Sequence, residues 1–140
     1  MSERSVELRQ EHFLIYKDDV VKEVGDFLND AMEKAVTAGV RKESILLDPG
    51  LGFAKNPQQD WQLCRRAEEF HDMLSCPLFY APSRKSFLKN ITGDIAPAER
   101  DAATWGILGA LSLAGIEFIR VHDVKNASMF LHAFSEAAKK

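Results

Sequence analysis

Apolar positions recur along this chain in two rhythms that alternate. Between residues 18 and 38 they fall at Val20, Val21, Val24, Phe27, Leu28, Ala31 and Ala35, close to the i, i+3, i+4, i+7 spacing of a helix with one buried face. Asp18 and Asp19 offer caps and Gly39 a stop. The same spacing runs from Gln58 to Leu74 through Trp61, Leu63, Cys64, Ala67 and Phe70. It returns from Pro97 to Ala114 through Ala102, Ala103, Trp105, Ile107, Leu108, Ala110, Leu111 and Leu113, with Gly115 as its end. Val124 to Lys140 closes the chain as an amphipathic helix. Its terminal lysines suit the negative end of the helix dipole.

Between these stretches lie short apolar runs: Ile45-Leu46-Leu47, Pro77 to Ala81, and Glu117 to Val121. Their length and flanks fit strands. The order is a helix followed by strand–helix units, which predicts an α/β fold with right-handed crossovers. Parallel strands are expected near 45–48, 77–81 and 117–121, adjacent in that order.

Each run ends in polar residues. The first opens into Asp48-Pro49-Gly50-Leu51-Gly52-Phe53-Ala54-Lys55-Asn56. The second leads into Ser83-Arg84-Lys85-Ser86-Phe87, and the third into Arg120-Val121-His122-Asp123-Val124. A parallel sheet brings those ends to one edge, the edge where ligands bind in such folds. Pro49 stops the ladder. Gly50 and Gly52 let the backbone pass close to a ligand or adopt positive φ. Repeated polar ends at one edge read as a single ligand site on part of a (β/α) TIM-type barrel with about three parallel strands.

Residue types at these ends allow more than one role. Asp48 either offers a bidentate acceptor to adjacent N–H donors or caps its own turn or the next helix. Lys85 and Arg84 are site cations or solvated surface charges. Arg120, between Ile119 and Val121, needs a partner for its charge, either an anionic ligand or Asp48 or Asp123. His122 is a ligand contact or a structural histidine. Asp123 reads as the cap of the final helix.

In that order and spacing, these three motifs resemble the last strand ends of dihydropteroate synthase, a TIM barrel of folate biosynthesis. That family joins p-aminobenzoate to a dihydropterin diphosphate with loss of pyrophosphate. The resemblance runs from about Asp18 to the C-terminus. It implies that Asp48 and Lys85 hold the pterin, Phe53 and Ser86 receive p-aminobenzoate, and Arg120 and His122 hold the diphosphate. Lys85, Arg120 and His122 are the catalytic candidates. Fixed positive charge beside a leaving diphosphate suits this chemistry, and a helix beginning at Ser86 suits a carboxylate. The resemblance also implies Mg²⁺ for the full family enzyme, although no evident motif in this chain binds it.

The departures are equally specific. The family barrel has eight strands, and its first five strand ends supply site residues that have no counterpart here. Residues 1–17 are polar around one apolar island, Phe13-Leu14-Ile15-Tyr16, and match no family strand well. They are set apart from 18–140, the C-terminal part of a barrel. Ala54 stands where glycine is usual, which should stiffen the loop. Ala81-Pro82 replaces a glycine and a non-proline residue, which should narrow the pterin pocket. The chain reads as a cut piece of a longer barrel, a shortened reading frame, or a diverged part-barrel.

Composition narrows the classes. The 140 residues are 46% hydrophobic and 28% charged, ordinary for one globular unit. A net charge of −3 argues against nucleic acid as a partner. No apolar stretch reaches the roughly 20 residues that span a bilayer, so no membrane association is expected. Met1 to Gln10 is polar and resembles no signal peptide. Two cysteines, Cys64 and Cys76, suggest no disulfide framework and a reduced, cytoplasmic setting. Two functional classes follow: a dihydropteroate synthase-like domain, incomplete as this chain alone, or a non-catalytic pterin- or phosphate-binding part-barrel. A related pterin-binding methyltransferase barrel is a weaker third, because it would not carry Ser-Arg-Lys-Ser. An open part-barrel exposes sheet edges and one sheet face, so the expected partner is a second copy or the missing barrel half.

Overall fold

A computed structural model of the chain describes Tyr16 and residues 19–139. The N-terminal segment 1–17 therefore lies, apart from Tyr16, outside the described residues. Helix α1 spans Val20–Thr37. Asp19 caps it, its Oδ1 accepting the N–H groups of Val21 at 3.0 Å and Lys22 at 3.2 Å. Its buried row is Val20, Val21, Val24, Leu28 and Met32. Phe27, expected on that face, is instead 70% exposed. The i+4 row through Val20, Val24 and Leu28 sets the phase, and Phe27 falls beside it.

Residues Gln58 to Leu74 do not form the single helix that their periodicity predicts. Helix α2 covers Pro57–Arg65, a 3₁₀ turn follows at Ala67–Glu69, and α3 covers Phe70–Met73. The break falls at Arg66, which leaves helical geometry with φ −111° and ψ 25°. There its guanidinium bonds Asp19 at 2.9 Å and Glu69 at 2.7 Å. A contact between residues far apart in sequence outweighs local periodicity at this point.

Strand β1 is Phe79–Tyr80 and β2 is Phe118–Ile119. They pair in parallel, Phe79 opposite Phe118 and Tyr80 opposite Ile119. Leu47 forms a parallel bridge to Leu78 on the other side of β1. Its N–H donates to Pro77 O at 3.0 Å, and its carbonyl accepts the Phe79 N–H at 2.9 Å. The three segments thus lie in the expected order and direction, with shorter regular pairing than expected. Prolines explain this: Pro49, Pro77 and Pro82 flank the pairs and have no N–H for the ladder.

The connections are helical. A 3₁₀ turn at Ser86–Leu88 leads into α4, Lys89–Thr92. A second at Pro97–Arg100 leads into α5, Asp101–Leu113. Helix α6 spans Val124–Ala138. Leu47, Leu78 and Tyr80 are buried beneath helical residues that include Leu63, Phe70, Leu88 and Leu111. The Tyr80 hydroxyl donates to Leu63 O at 3.0 Å. Side chains alternate along strands, so Leu46, Phe79 and Phe118 take the opposite face. No described layer covers that face: Leu46 is 48% and Phe118 46% exposed. Asp48 and Arg120 share its parity, one step nearer the C-terminal edge.

Candidate functional site

The loop after Leu47 is built from left-handed turns and two buried charges. Asp48 Oδ1 accepts the Gly50 N–H at 2.8 Å, closing its own turn. The cap of α2 is Asn56, which forms a capping box with Gln59. Gly50, Gly52 and Ala54 all have positive φ, at 72°, 74° and 51°. Ala54 therefore keeps the backbone shape of a glycine instead of relaxing out of it.

Lys55 is turned inward, only 7% exposed. Its Nζ donates to Gly50 O at 3.1 Å and Phe53 O at 3.2 Å. Asp60, 1% exposed in the first turns of α2, accepts the Gly52 N–H at 2.8 Å. Burial pushes the Asp60 carboxyl up to about 6, against the Gly52 bond and the nearby Lys55 charge. Burial lowers Lys55, with Asp60 and then Asp48 opposing. This pair fixes the loop's shape, and sequence reasoning missed it. The signal was present: Asp60 stands four residues before Cys64 and seven before Ala67, on the buried stripe of its own helix. A charge on such a stripe needs partners.

At the second strand end Arg84 and Lys85 diverge. Arg84 has φ 61°, and its N–H donates to Thr104 Oγ1 at 3.2 Å. Its guanidinium clasps Asp101 through two bonds of 2.8 and 2.7 Å. Arg84 is thus a structural tie to α5. Lys85 reaches the other way. Its Nζ lies 4.0 Å from the Phe53 ring centroid, a cation–π contact. A Cβ on Gly52 would come within 3.2 Å of Lys85 Cδ, so the glycine leaves room for that side chain. Burial lowers Lys85, Asp48 opposes, and Arg120 lowers it further. Lys85 thus lies within reach of the charges of both neighbouring strand ends. Ser86 is exposed and begins a 3₁₀ turn running into only one turn of α-helix. The helix expected there is too short for a strong dipole.

At the third strand end the Arg120 N–H donates to Tyr80 O at 2.8 Å, and its side chain is exposed. Neither suggested ion pair forms: no bond to Asp48 or Asp123 is present among the described residues. Asp123 caps α6, its Oδ1 accepting the Asn126 N–H at 3.1 Å. His122 contacts Ser83 twice, through its backbone N–H at 3.2 Å and its ring Nδ1 at 2.9 Å. The ring is thus partnered within the fold, as a structural histidine would be.

A cavity of about 390 Å³ opens beside the loop, lined by Phe53, Lys55, Asp60, Ser86, Lys89 and Asn90. It joins Phe53 and Ser86, while Asp48, Arg120 and His122 lie outside its lining. A second cavity of about 450 Å³, between α2 and α5, is lined largely by apolar groups such as Trp61, Cys64 and Ile107. It lies on the helical side, away from the strand ends. Both cysteines are free and buried, and burial pushes the Cys64 thiol up to about 12. Among the described residues no three His, Cys, Asp or Glu side chains gather as a metal ligand set. The residues present do not by themselves fit a Mg²⁺ site.

A loop with left-handed glycines at 50 and 52, a lysine laid on an aromatic ring and an arginine at the next strand end share one edge. Residues 1–122 match the family of pterin-binding enzymes, and the chain belongs to that family. Its relatives include dihydropteroate synthase of Escherichia coli strain K12, 37% identical over 108 residues, covering 77% of this chain and 38% of that enzyme. Folic acid synthesis protein fol1 of Schizosaccharomyces pombe is 40% identical over 120 residues, 81% of this chain and 16% of its own. The dihydropteroate synthase of Xanthomonas albilineans, solved in complex with 7,8-dihydropteroate, superposes with a TM-score of 0.83 at 31% identity, covering 90% of this chain and 48% of that one. The enzyme of Thermus thermophilus, solved in complex with 6HMPPP, gives 0.80 at 31% identity over 89% and 48%. The chain therefore shares the fold of part of these enzymes and spans less than half the length of each. Among the described residues no helix is long and apolar enough to cross a membrane.

Proposed function

We propose that residues 18–140 form the C-terminal part of a dihydropteroate synthase barrel and carry the half of its site that grips a dihydropterin diphosphate. The observation that carries this reading is the Lys85 ammonium lying on the Phe53 ring, at the edge it shares with Asp48 and Arg120. In the reaction the p-aminobenzoate nitrogen attacks the pterin's methylene carbon. The C–O bond breaks, pyrophosphate departs with the bonding electrons, and the nitrogen loses a proton.

The Asp48 oxygen not engaged with Gly50 would accept the pterin's adjacent N–H groups. Arg120 and His122 would hold the diphosphate, and Lys85 would face the charge that develops as it leaves. Phe53 and Ser86 would receive p-aminobenzoate in the neighbouring cavity. The uncovered face of Leu46, Phe79 and Phe118 supports the part-barrel, because an apolar sheet face needs a covering layer. The remaining strands, or a second copy of the chain, would supply it. A reduced, cytoplasmic setting suits the two buried free thiols. Mg²⁺ would act with the completed barrel, and no step here is assigned to it.

The 38% coverage of the E. coli enzyme favours a second reading for the chain alone: pterin and phosphate binding without turnover. Removing one group aimed at the developing charge commonly costs about 10²–10³ in rate, and the first five strand ends are not among these residues. Incubating the chain with dihydropterin diphosphate, p-aminobenzoate and Mg²⁺ should yield no appreciable product. Robust product that disappears in Lys85→Ala and Arg120→Ala would instead show that the chain assembles a whole site.

A further inference from the structure

Ser83 is 5% exposed and stands between Pro82 and the left-handed Arg84. Its Oγ receives two approaches from one residue: the His122 backbone N–H at 3.2 Å and the ring Nδ1 at 2.9 Å. The backbone group is always a donor, so it takes one Oγ lone pair. The ring nitrogen is a donor or an acceptor according to tautomer. If Nδ1 carried the proton, Ser83 would accept twice. Its own buried hydroxyl hydrogen would then lack an acceptor, since no other Ser83 bond is present among the described residues. Folded chains avoid such unmet donors. If Nδ1 is bare, the hydroxyl donates to it and every group is satisfied.

We infer that Ser83 is a positioning residue that fixes the neutral His122 ring as the Nε2–H tautomer and so presents an N–H donor at the strand ends. A hydrogen bond on one ring nitrogen decides what the other can offer. His122 then supplies an aimed hydrogen bond to a phosphate oxygen, complementing the fixed charge of Arg120. Its use toward a diphosphate rests on the reading above; the tautomer itself rests on the Ser83 geometry alone. Ser83 does this without touching the ligand.

The two parts separate in one experiment on ¹⁵N-labelled chain. Long-range ¹H–¹⁵N spectra at neutral pH read the tautomer of each histidine, with His122→Gln identifying the His122 signals. The wild type is expected to show Nε2 protonated and Nδ1 bare. Ser83→Ala should show mixed tautomers, and Ser83→Thr should restore the single one. Titration with inorganic pyrophosphate should then show affinity falling about tenfold in Ser83→Ala, the effect of losing one oriented hydrogen bond, and recovering in Ser83→Thr. An Nδ1–H tautomer in the wild type overturns the inference whether or not the variants fold. Unchanged spectra and unchanged affinity in Ser83→Ala also overturn it. Absence of pyrophosphate binding in the wild type would sink the diphosphate reading and His122's role in it, while the spectra still decide the tautomer.

Discussion

Asp60 carries a charge that its burial opposes. It accepts one hydrogen bond, from Gly52, and lies buried beside Lys55 without an ion pair. Its carboxyl is raised from 3.8 to about 6, so the folded chain holds this proton more tightly than the unfolded one. The associated stability is fully present below about pH 4 and is lost as pH rises through about 6. Asp60→Asn keeps an oxygen for Gly52 and removes the charge. Above pH 7 the variant should be more stable by about 3 kcal/mol, with the difference vanishing below about pH 4. Urea unfolding at a series of pH values checks this. A wild type that is the more stable form at pH 8 would contradict it. The charged motifs were legible because Asp48, Lys85 and Arg120 follow apolar runs. Asp60 follows no strand and was legible only as a charge on its helix's buried stripe; the loop eight residues back that it serves was not.

At the scale of elements, the loop from Asp48 to Asn56 sets an alanine and a glycine in the same left-handed conformation. The steric cost of φ 51° at Ala54 exceeds the extra freedom that glycine would lose on folding, so Ala54→Gly should stabilise the fold by up to about 1 kcal/mol, read as a rise in Tm. Gly52 should behave in reverse, since its φ is 74° and a Cβ there would meet Lys85 Cδ at 3.2 Å. Gly52→Ala should cost about 1–2 kcal/mol and weaken pterin diphosphate binding by displacing Lys85 from Phe53. Unchanged Tm and affinity in both variants would mean that the loop's shape is not fixed as described. Helix positions were readable from apolar spacing, since burial of one face dominates their stability. The break at Arg66 was not, because the Asp19 and Glu69 bonds that hold it join residues far apart in sequence as well as near ones.

For the whole molecule, the parallel order of Leu47, β1 and β2 was visible in the alternation of runs and helices. The brevity of the pairing reflects prolines at its borders. The face bearing Leu46, Phe79 and Phe118 has no described cover, so the chain should self-associate at micromolar concentration. Sedimentation should show species above the monomer that shift toward monomer in Leu46→Lys/Phe118→Lys. A compact wild-type monomer would contradict this.

Calorimetric titration of the chain with dihydropterin diphosphate tests most directly whether the three strand ends make one site. Asp48→Ala, Lys85→Ala and Arg120→Ala should each weaken binding about tenfold or more. Lys22→Ala, which removes only a surface pair with Asp26 on α1, should leave it unchanged. Binding undiminished by Asp48→Ala and Arg120→Ala would show that these strand ends do not act together.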